Sequence, residues 1–230
     1  MCGRFAASAS TDVIIETFSI DVVVDAPQPT FNAAPTDAVP AVVERVDKES
    51  GADVRKLVTP RWGLVPSWSN DPSGGARMIN ARFETVESKP AFRKAFAARR
   101  CLIPADGYYE WVPGDGTKKQ PFFIRPDDGA LFVMAGLYEF WRPADGGDWL
   151  TTCTIITTRS ADSVGHIHDR MPMTIARDDW ASWLDPHLTD PLAAKDLLRV
   201  TEPAHLDAYP VATLVNAVRN DGPELIQPLS

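Results

Sequence analysis

Cys2, Asn80, Glu110 and His168 are the residues of this chain whose types suit joint chemistry. Cys2 has a small side chain, so methionine aminopeptidase is expected to remove Met1 and expose it as the N-terminal residue. A thiol and a free α-amine then stand on adjacent carbons, with ordinary pKa values of about 8.5 and about 8. An aldehyde meeting this pair forms a Schiff base with the amine. The thiol adds to the imine and closes a five-membered thiazolidine, which no internal cysteine can do. Asn80, in Ile79-Asn80-Ala81-Arg82, offers an amide able to hold a substrate oxygen or the cysteine amine. Glu110 stands among aromatics in Tyr108-Tyr109-Glu110-Trp111. Pointing inward, its carboxyl would have a raised pKa and serve as a proton acceptor. His168, in the polar turn His166–Pro172, exchanges protons near pH 7. Plainer roles are open to each: a turn cap for Asn80, a solvent-facing carboxylate for Glu110, a surface histidine for His168.

The elements that must position these residues read as many short strands with few helices. Met1–Ala7 predicts a strand, and Ser10 or Thr11 caps a helix carrying Val13, Ile14, Ile15 and Phe18. Asp25–Pro35 reads as a loop, and Val39–Val46 and Val54–Val58 as strands joined through a turn at Lys48–Gly51. Arg61–Trp68, with two tryptophans and a proline, suits a rigid wall, and Asn70–Ala76 a glycine-containing loop. A helix near Pro90–Ala98 puts Phe92 and Phe96 on one face. Strands follow at Cys101–Pro104, Gly107–Val112 and Pro121–Arg125, the last two joined by a hairpin at Gly114-Asp115-Gly116. Leu131–Phe140, Trp149–Thr158 and Met173–Ile175 continue the β pattern, and helices near Asp178–Leu184 and Pro191–Val200 precede a proline-punctuated end. The expectation is one α+β domain over residues 1–230, mainly antiparallel barrel-like sheet with a few short flanking helices.

Composition narrows the function. The 230 residues suffice for a substantial core, and no apolar run reaches transmembrane length. Three cysteines without paired spacing argue against a disulfide framework and for a reducing cytoplasm, with Cys101 and Cys153 as inert core residues. The net charge of −8 speaks against a polyanion partner, but its distribution does not. Between Arg77 and Arg100, seven basic residues face Glu84 and Glu87, a local balance of 7 − 2 = +5. A solvated helix face explains that run as well as a DNA surface does. No Cys-x-x-Cys or His-Glu-x-x-His spacing supports a metal, no glycine-rich loop supports a phosphate cofactor, and none of either is expected.

Seven segments recur together in one known family: Met1–Phe5, Asn32–Pro35, Trp62–Trp68, Ile79–Arg82, Arg100–Trp111, His168–Pro172 and Asp221–Leu225. The chain strongly resembles the SRAP (SOS response-associated peptidase) family of abasic-site processing proteins. That resemblance implies that Cys2 crosslinks to the aldehyde of an abasic site in single-stranded DNA as a thiazolidine, with Asn80, Glu110 and His168 in support. It implies that Arg4 and Arg82 lie against flanking phosphates and that Trp68 packs near an unstacked base; Asn32, and Arg93 from the basic run, are the further DNA-binding candidates. Asp162 stands where asparagine is more common, and Phe31 replaces a tyrosine. The expected partner is single-stranded DNA carrying abasic sites, bound by a monomer without a membrane. A lyase side reaction by β-elimination is open to the Schiff base. Two alternatives remain: an N-terminal cysteine peptidase or amidohydrolase using Cys2, His168 and Asn80, and a non-catalytic module that binds single-stranded or modified DNA.

Overall fold

The computed structural model describes residues 2–114, 119–160, 162–198 and 205–229. The short strand that follows Cys2, β1 (Phe5–Ala7), is flanked on both sides. It pairs with β3 (Thr30–Ala33) and β9 (Gly107–Pro113) in a five-stranded sheet completed by β10 (Lys119–Pro126) and β14 (Leu206–Pro210), in the order β14-β10-β9-β1-β3. The larger sheet runs β13-β12-β11-β8-β4-β5-β2 and has nine strands. Its members are β2 (Val22–Val23), β4 (Ala41–Val46), β5 (Asp53–Val58), β8 (Arg100–Ala105), β11 (Phe132–Trp141), β12 (Leu150–Arg159) and β13 (Arg170–Pro172). The remaining two, β6 (Arg61–Trp62) and β7 (Asn80–Arg82), both pair parallel to β12. Most other pairings are antiparallel, and the two sheets face each other as an open, barrel-like α+β fold.

Strand alternation explains the layers. On β8, Cys101, Ile103 and Ala105 point into the core shared with the small sheet, while Leu102 points the other way. That opposite face carries the helices α1 (Thr11–Phe18), α2 (Arg93–Ala98), α4 (Trp180–Leu184) and α5 (Pro191–Leu197), which bury Ile14, Phe18, Phe96, Trp183 and Ala194 against it. The short helix α3 (Asp162–Gly165) precedes β13. Ser10 caps α1 by accepting from the Val13 N–H at 3.3 Å, as the sequence suggests. The outer face of the small sheet is covered by the C-terminal segment, through Val211, Val215 and Leu225 on Ala6, Tyr109 and Phe123. No described helix is long and apolar enough to cross a membrane.

Several elements differ from expectation. The Asp25–Pro35 loop contains β3, because its backbone completes the edge beside β1. Asn70–Ala76 is largely a 3-10 helix, Pro72–Arg77, started by the Asp71 side chain and a proline in its first turn. Met173–Ile175 forms only a single bridge, Met134 to Thr174. The proline-punctuated end contains β14, which pairs with β10. Residues 115 and 116 of the expected hairpin, and 199 and 200 of the last helix, lie outside the described residues, as does the Asp162 side chain.

The basic run is the larger correction. Arg100 is only 4 % exposed. It donates to the carbonyls of Phe96 and Ala97 at the end of α2 and to those of Trp183 and Asp185 at the end of α4. A guanidinium there satisfies orphan helix carbonyls and complements two helix dipoles. Arg99 pairs with Glu139 at 2.7 Å. The local charge sum therefore overstates what faces solvent.

Candidate active site

Cys2 is fully buried in the core between the sheets. The backbone following it is held by pairing: Arg4 O accepts from Tyr109 N at 2.9 Å, and Phe5 lies opposite Tyr108. The Cys2 Sγ lies 3.9 Å from Arg4 O. Burial pushes the thiol pKa up, and the charge of Glu110 pushes it further. The resting sulfur is a neutral thiol.

Asn80 reaches Cys2 directly, donating Nδ2 to the Cys2 carbonyl at 2.7 Å. Its buried Oδ1 has no hydrogen-bond partner among the described residues. Position comes from β7, where Asn80 pairs with Ile155, and from Trp62, whose indole N–H donates to Ile79 O at 2.9 Å. Trp62 is fully buried and packs edge-on to Phe5 at 4.9 Å, so one indole braces both the Cys2 strand and the Asn80 strand. The loop between them closes through glycines. Gly63 has φ +127°, and a Cβ on Gly75 would lie 2.6 Å from Gly63 O.

Glu110 points inward and is 4 % exposed. Alternation along β9 puts Tyr108 on the shared-core face with it and Tyr109 on the outer face. Burial raises the Glu110 pKa, and nearby His168 opposes part of the shift. The phenol of Tyr108 is also pushed up, by burial first and then by Cys2 and Glu110, so the two acids and the thiol occupy one neighbourhood. His168 is half-buried, and its Nδ1 accepts from the Arg170 backbone N–H at 2.9 Å. Asp169 Oδ1, 87 % exposed, lies 3.0 Å from the same Nδ1. That nitrogen accepts from Arg170 when it is bare and donates to Asp169 when it carries a proton. Arg170 fixes this turn by a two-pronged ion pair with Glu84 (2.6 and 3.0 Å) and a bond to Thr157 O. Glu84 follows β7 closely, so the pair ties the His168 turn to the Asn80 strand. The four residues thus converge, Asn80 on Cys2 by contact and Glu110 on both Cys2 and His168 by field.

The DNA-contact candidates divide. Arg82 is exposed and, two residues after Asn80 on β7, shares its face. It lines an open cavity of about 610 Å³ with Arg159, Arg170 and Asp169. Trp68 is 59 % exposed. Arg4 is largely spent internally: it donates to Asn32 Oδ1 at 2.7 Å and Val215 O at 2.8 Å, and stacks 5.9 Å from the Trp111 ring. Asn32 is 2 % exposed, with its Nδ2 shared among the carbonyls of Val215, Ala217 and Asn220. It orients Arg4 and ties down the C-terminal segment, which leaves it no group for a ligand. Arg93 is exposed on α2, in the helical layer across the large sheet from Cys2.

Residues 1–218 match the family described as SOS response associated peptidase (SRAP). The chain belongs to the SRAP family. It is 41 % identical over 229 residues to the abasic site processing protein YoqW of Bacillus subtilis, covering 99 % of both chains. It is also 35 % identical over 227 residues to the chicken (Gallus gallus) abasic site processing protein HMCES, covering 88 % of this chain and 67 % of that one. Among solved structures, a protein from Bacteroides thetaiotaomicron superposes with a TM-score of 0.83 at 24 % identity over the whole of both chains, a likeness of fold. Within this SRAP chain, the residues that sequence reasoning passed over are Tyr108, Arg170 and the bracing Trp62. Tyr108 stands two positions before Glu110 on β9, a spacing that puts both side chains on one face, and Arg170 stands two positions after His168 at the start of β13.

Proposed function

We propose that this SRAP protein processes abasic sites in DNA by covalent capture, through the α-amine and thiol of Cys2 after loss of Met1. The relatives that carry the name abasic site processing protein support the coarser role. The observation that carries the chemistry is the bond from Asn80 to the carbonyl of buried Cys2, with buried Glu110 close to both Cys2 and His168.

The steps follow from the groups present. An abasic sugar is mostly a closed hemiacetal. The His168 imidazolium gives a proton to the ring oxygen as the C1′–ring oxygen bond breaks, while water takes the proton of the C1′ hydroxyl and returns it to the imidazole, which frees the C1′ aldehyde. The Cys2 amine must be neutral to attack, and the Glu110 carboxylate takes its proton. Attack gives a carbinolamine, and loss of water gives the imine. The thiol sulfur then bonds to the imine carbon while its proton passes to nitrogen. The balance is aldehyde plus amine plus thiol to thiazolidine plus one water.

Order matters here. A thiol with a raised pKa is a poor first nucleophile but a good trap for an imine held beside it. The buried, protonated thiol therefore favours amine-first capture over the thiolate attack a cysteine peptidase needs. Asn80 Oδ1, without a partner among the described residues, can accept from the Cys2 amine and aim its lone pair. Arg82 and its cavity, with exposed Trp68, suit phosphates and a base without reading sequence. Mass spectrometry of the protease-digested adduct tests the reading. The DNA remnant should sit on the peptide beginning at Cys2, at the mass of aldehyde addition minus water; attachment to a lysine peptide overturns it.

A further inference from the structure

We propose a second nucleotide-binding cleft on the large sheet, distinct from the residues around Cys2. A cavity of about 560 Å³ opens over the ends of β4, β5 and β11, and no small-sheet strand contributes to its lining. Arg45, Lys56 and Arg61 line it against one carboxylate, Asp25, together with the rings of Phe140 and Trp149. Three cations to one anion is a marked local excess in a chain of net charge −8. Among the described residues neither Arg45 nor Lys56 forms a side-chain hydrogen bond or ion pair, although Arg55 between them in sequence is paired to Glu44. Arg61 has a buried Nε with no hydrogen-bond partner among the described residues. Trp149 is 64 % exposed with the Arg142 guanidinium 5.7 Å from its ring centroid, and the Arg45 guanidinium lies 4.9 Å from the Phe140 centroid.

Cations beside exposed aromatic rings are the means by which proteins hold single strands, phosphates on the cations and bases on the rings. The occupant we assign is a nucleotide unit of a single-stranded DNA, and this rests on the reading that the chain engages such DNA. Arg61 joins the cleft to the loop that carries Trp68, because its Nη2 donates to Pro72 O at 3.2 Å. A strand leaving the Trp68 loop can continue into the cleft, which gives the protein grip on undamaged DNA beside the lesion.

The test uses undamaged, end-labelled oligo(dT) of six and twenty nucleotides, with anisotropy as the readout, on wild type, Trp149→Ala and Arg45→Gln/Lys56→Gln. Trp149→Ala should weaken the twenty-mer about fivefold or more, the loss typical of one stacked base. The double variant should lower the slope of log affinity against log salt by about 1.4, at roughly 0.7 per phosphate contact. Both should crosslink a six-nucleotide abasic oligomer at the wild-type rate. Wild-type affinity and slope in both variants overturn the cleft. Loss of crosslinking in wild type with the cleft effects intact would sink the capture chemistry and leave the cleft standing.

Discussion

The side-chain amide of Asn80 donates to the carbonyl oxygen of Cys2 at 2.7 Å, and this bond joins the large sheet to the residue that precedes the small one. The bond fixes the peptide plane of Cys2, and with it the direction of the α-amine, without occupying the amine or the thiol. Asn80→Ala should therefore slow crosslinking while binding of undamaged single strands stays at wild-type affinity. The stability loss should be small, about 1 kcal/mol for one hydrogen bond. Asn80→Asp should be slower still, since a carboxylate oxygen faces a carbonyl oxygen. Crosslinking at the wild-type rate by either variant would remove Asn80 from the site.

Glu110 carries a pH signature. Its folded-state pKa lies above the ordinary value of about 4.3, chiefly because it is buried. Between those two values the folded state binds more protons than the unfolded one, so stability falls as pH rises through that window. Glu110→Gln removes the penalty. The variant should melt above wild type at pH 7 to 8, with the difference vanishing near pH 4. Its crosslinking should be slowed most between the Glu110 pKa and the amine value of about 8, where wild type has both an ionised base and a protonated amine. Equal rates across pH 5 to 9 would exclude the base role.

Arg82 and Arg93 should separate cleanly. Arg82 shares a strand face with Asn80, whereas Arg93 lies in the helical layer on the far side of the sheet. Arg82→Ala should lower the salt slope of single-strand binding by about 0.7. Arg93→Ala should leave it unchanged. Salt titrations of both variants check this, and a reversed result would move the DNA path to the α2 side.

Gly75→Ala tests the loop that carries Trp68. The new Cβ would meet Gly63 O at 2.6 Å and Val65 Cγ2 at 2.9 Å, and Gly63, at φ +127°, has little room to yield. The variant should lose Tm and bind single strands more weakly, through displacement of the loop rather than loss of charge. Its salt slope should stay at the wild-type value.

How much of this was legible beforehand depended on the range of the interactions involved. The β8 to β12 strands were readable because their apolar runs, such as Cys101-Leu102-Ile103, are local signals. The four chemical residues were readable by type and by family resemblance. Which way Glu110 points was not, because Tyr108 on one face and Tyr109 and Trp111 on the other make both faces of β9 aromatic, and alternation alone cannot choose the core. Strands β3 and β14 were missed because their partners are distant in sequence, Phe5 for Ala33 and Phe122 for Pro210. Arg100 misled for a related reason. A charge sum counts a guanidinium without seeing the helix carbonyls that bury it.

The central claim is that capture requires an amine and a thiol on one residue. Inserting a single alanine between Met1 and Cys2 keeps the thiol but separates it from the α-amine. Wild type and the insertion variant should be incubated with abasic single-stranded DNA and run on a denaturing gel. The account predicts a shifted, heat-stable band for wild type and none for the insertion variant, as for Cys2→Ala. A stable adduct of wild-type yield from the insertion variant would contradict it.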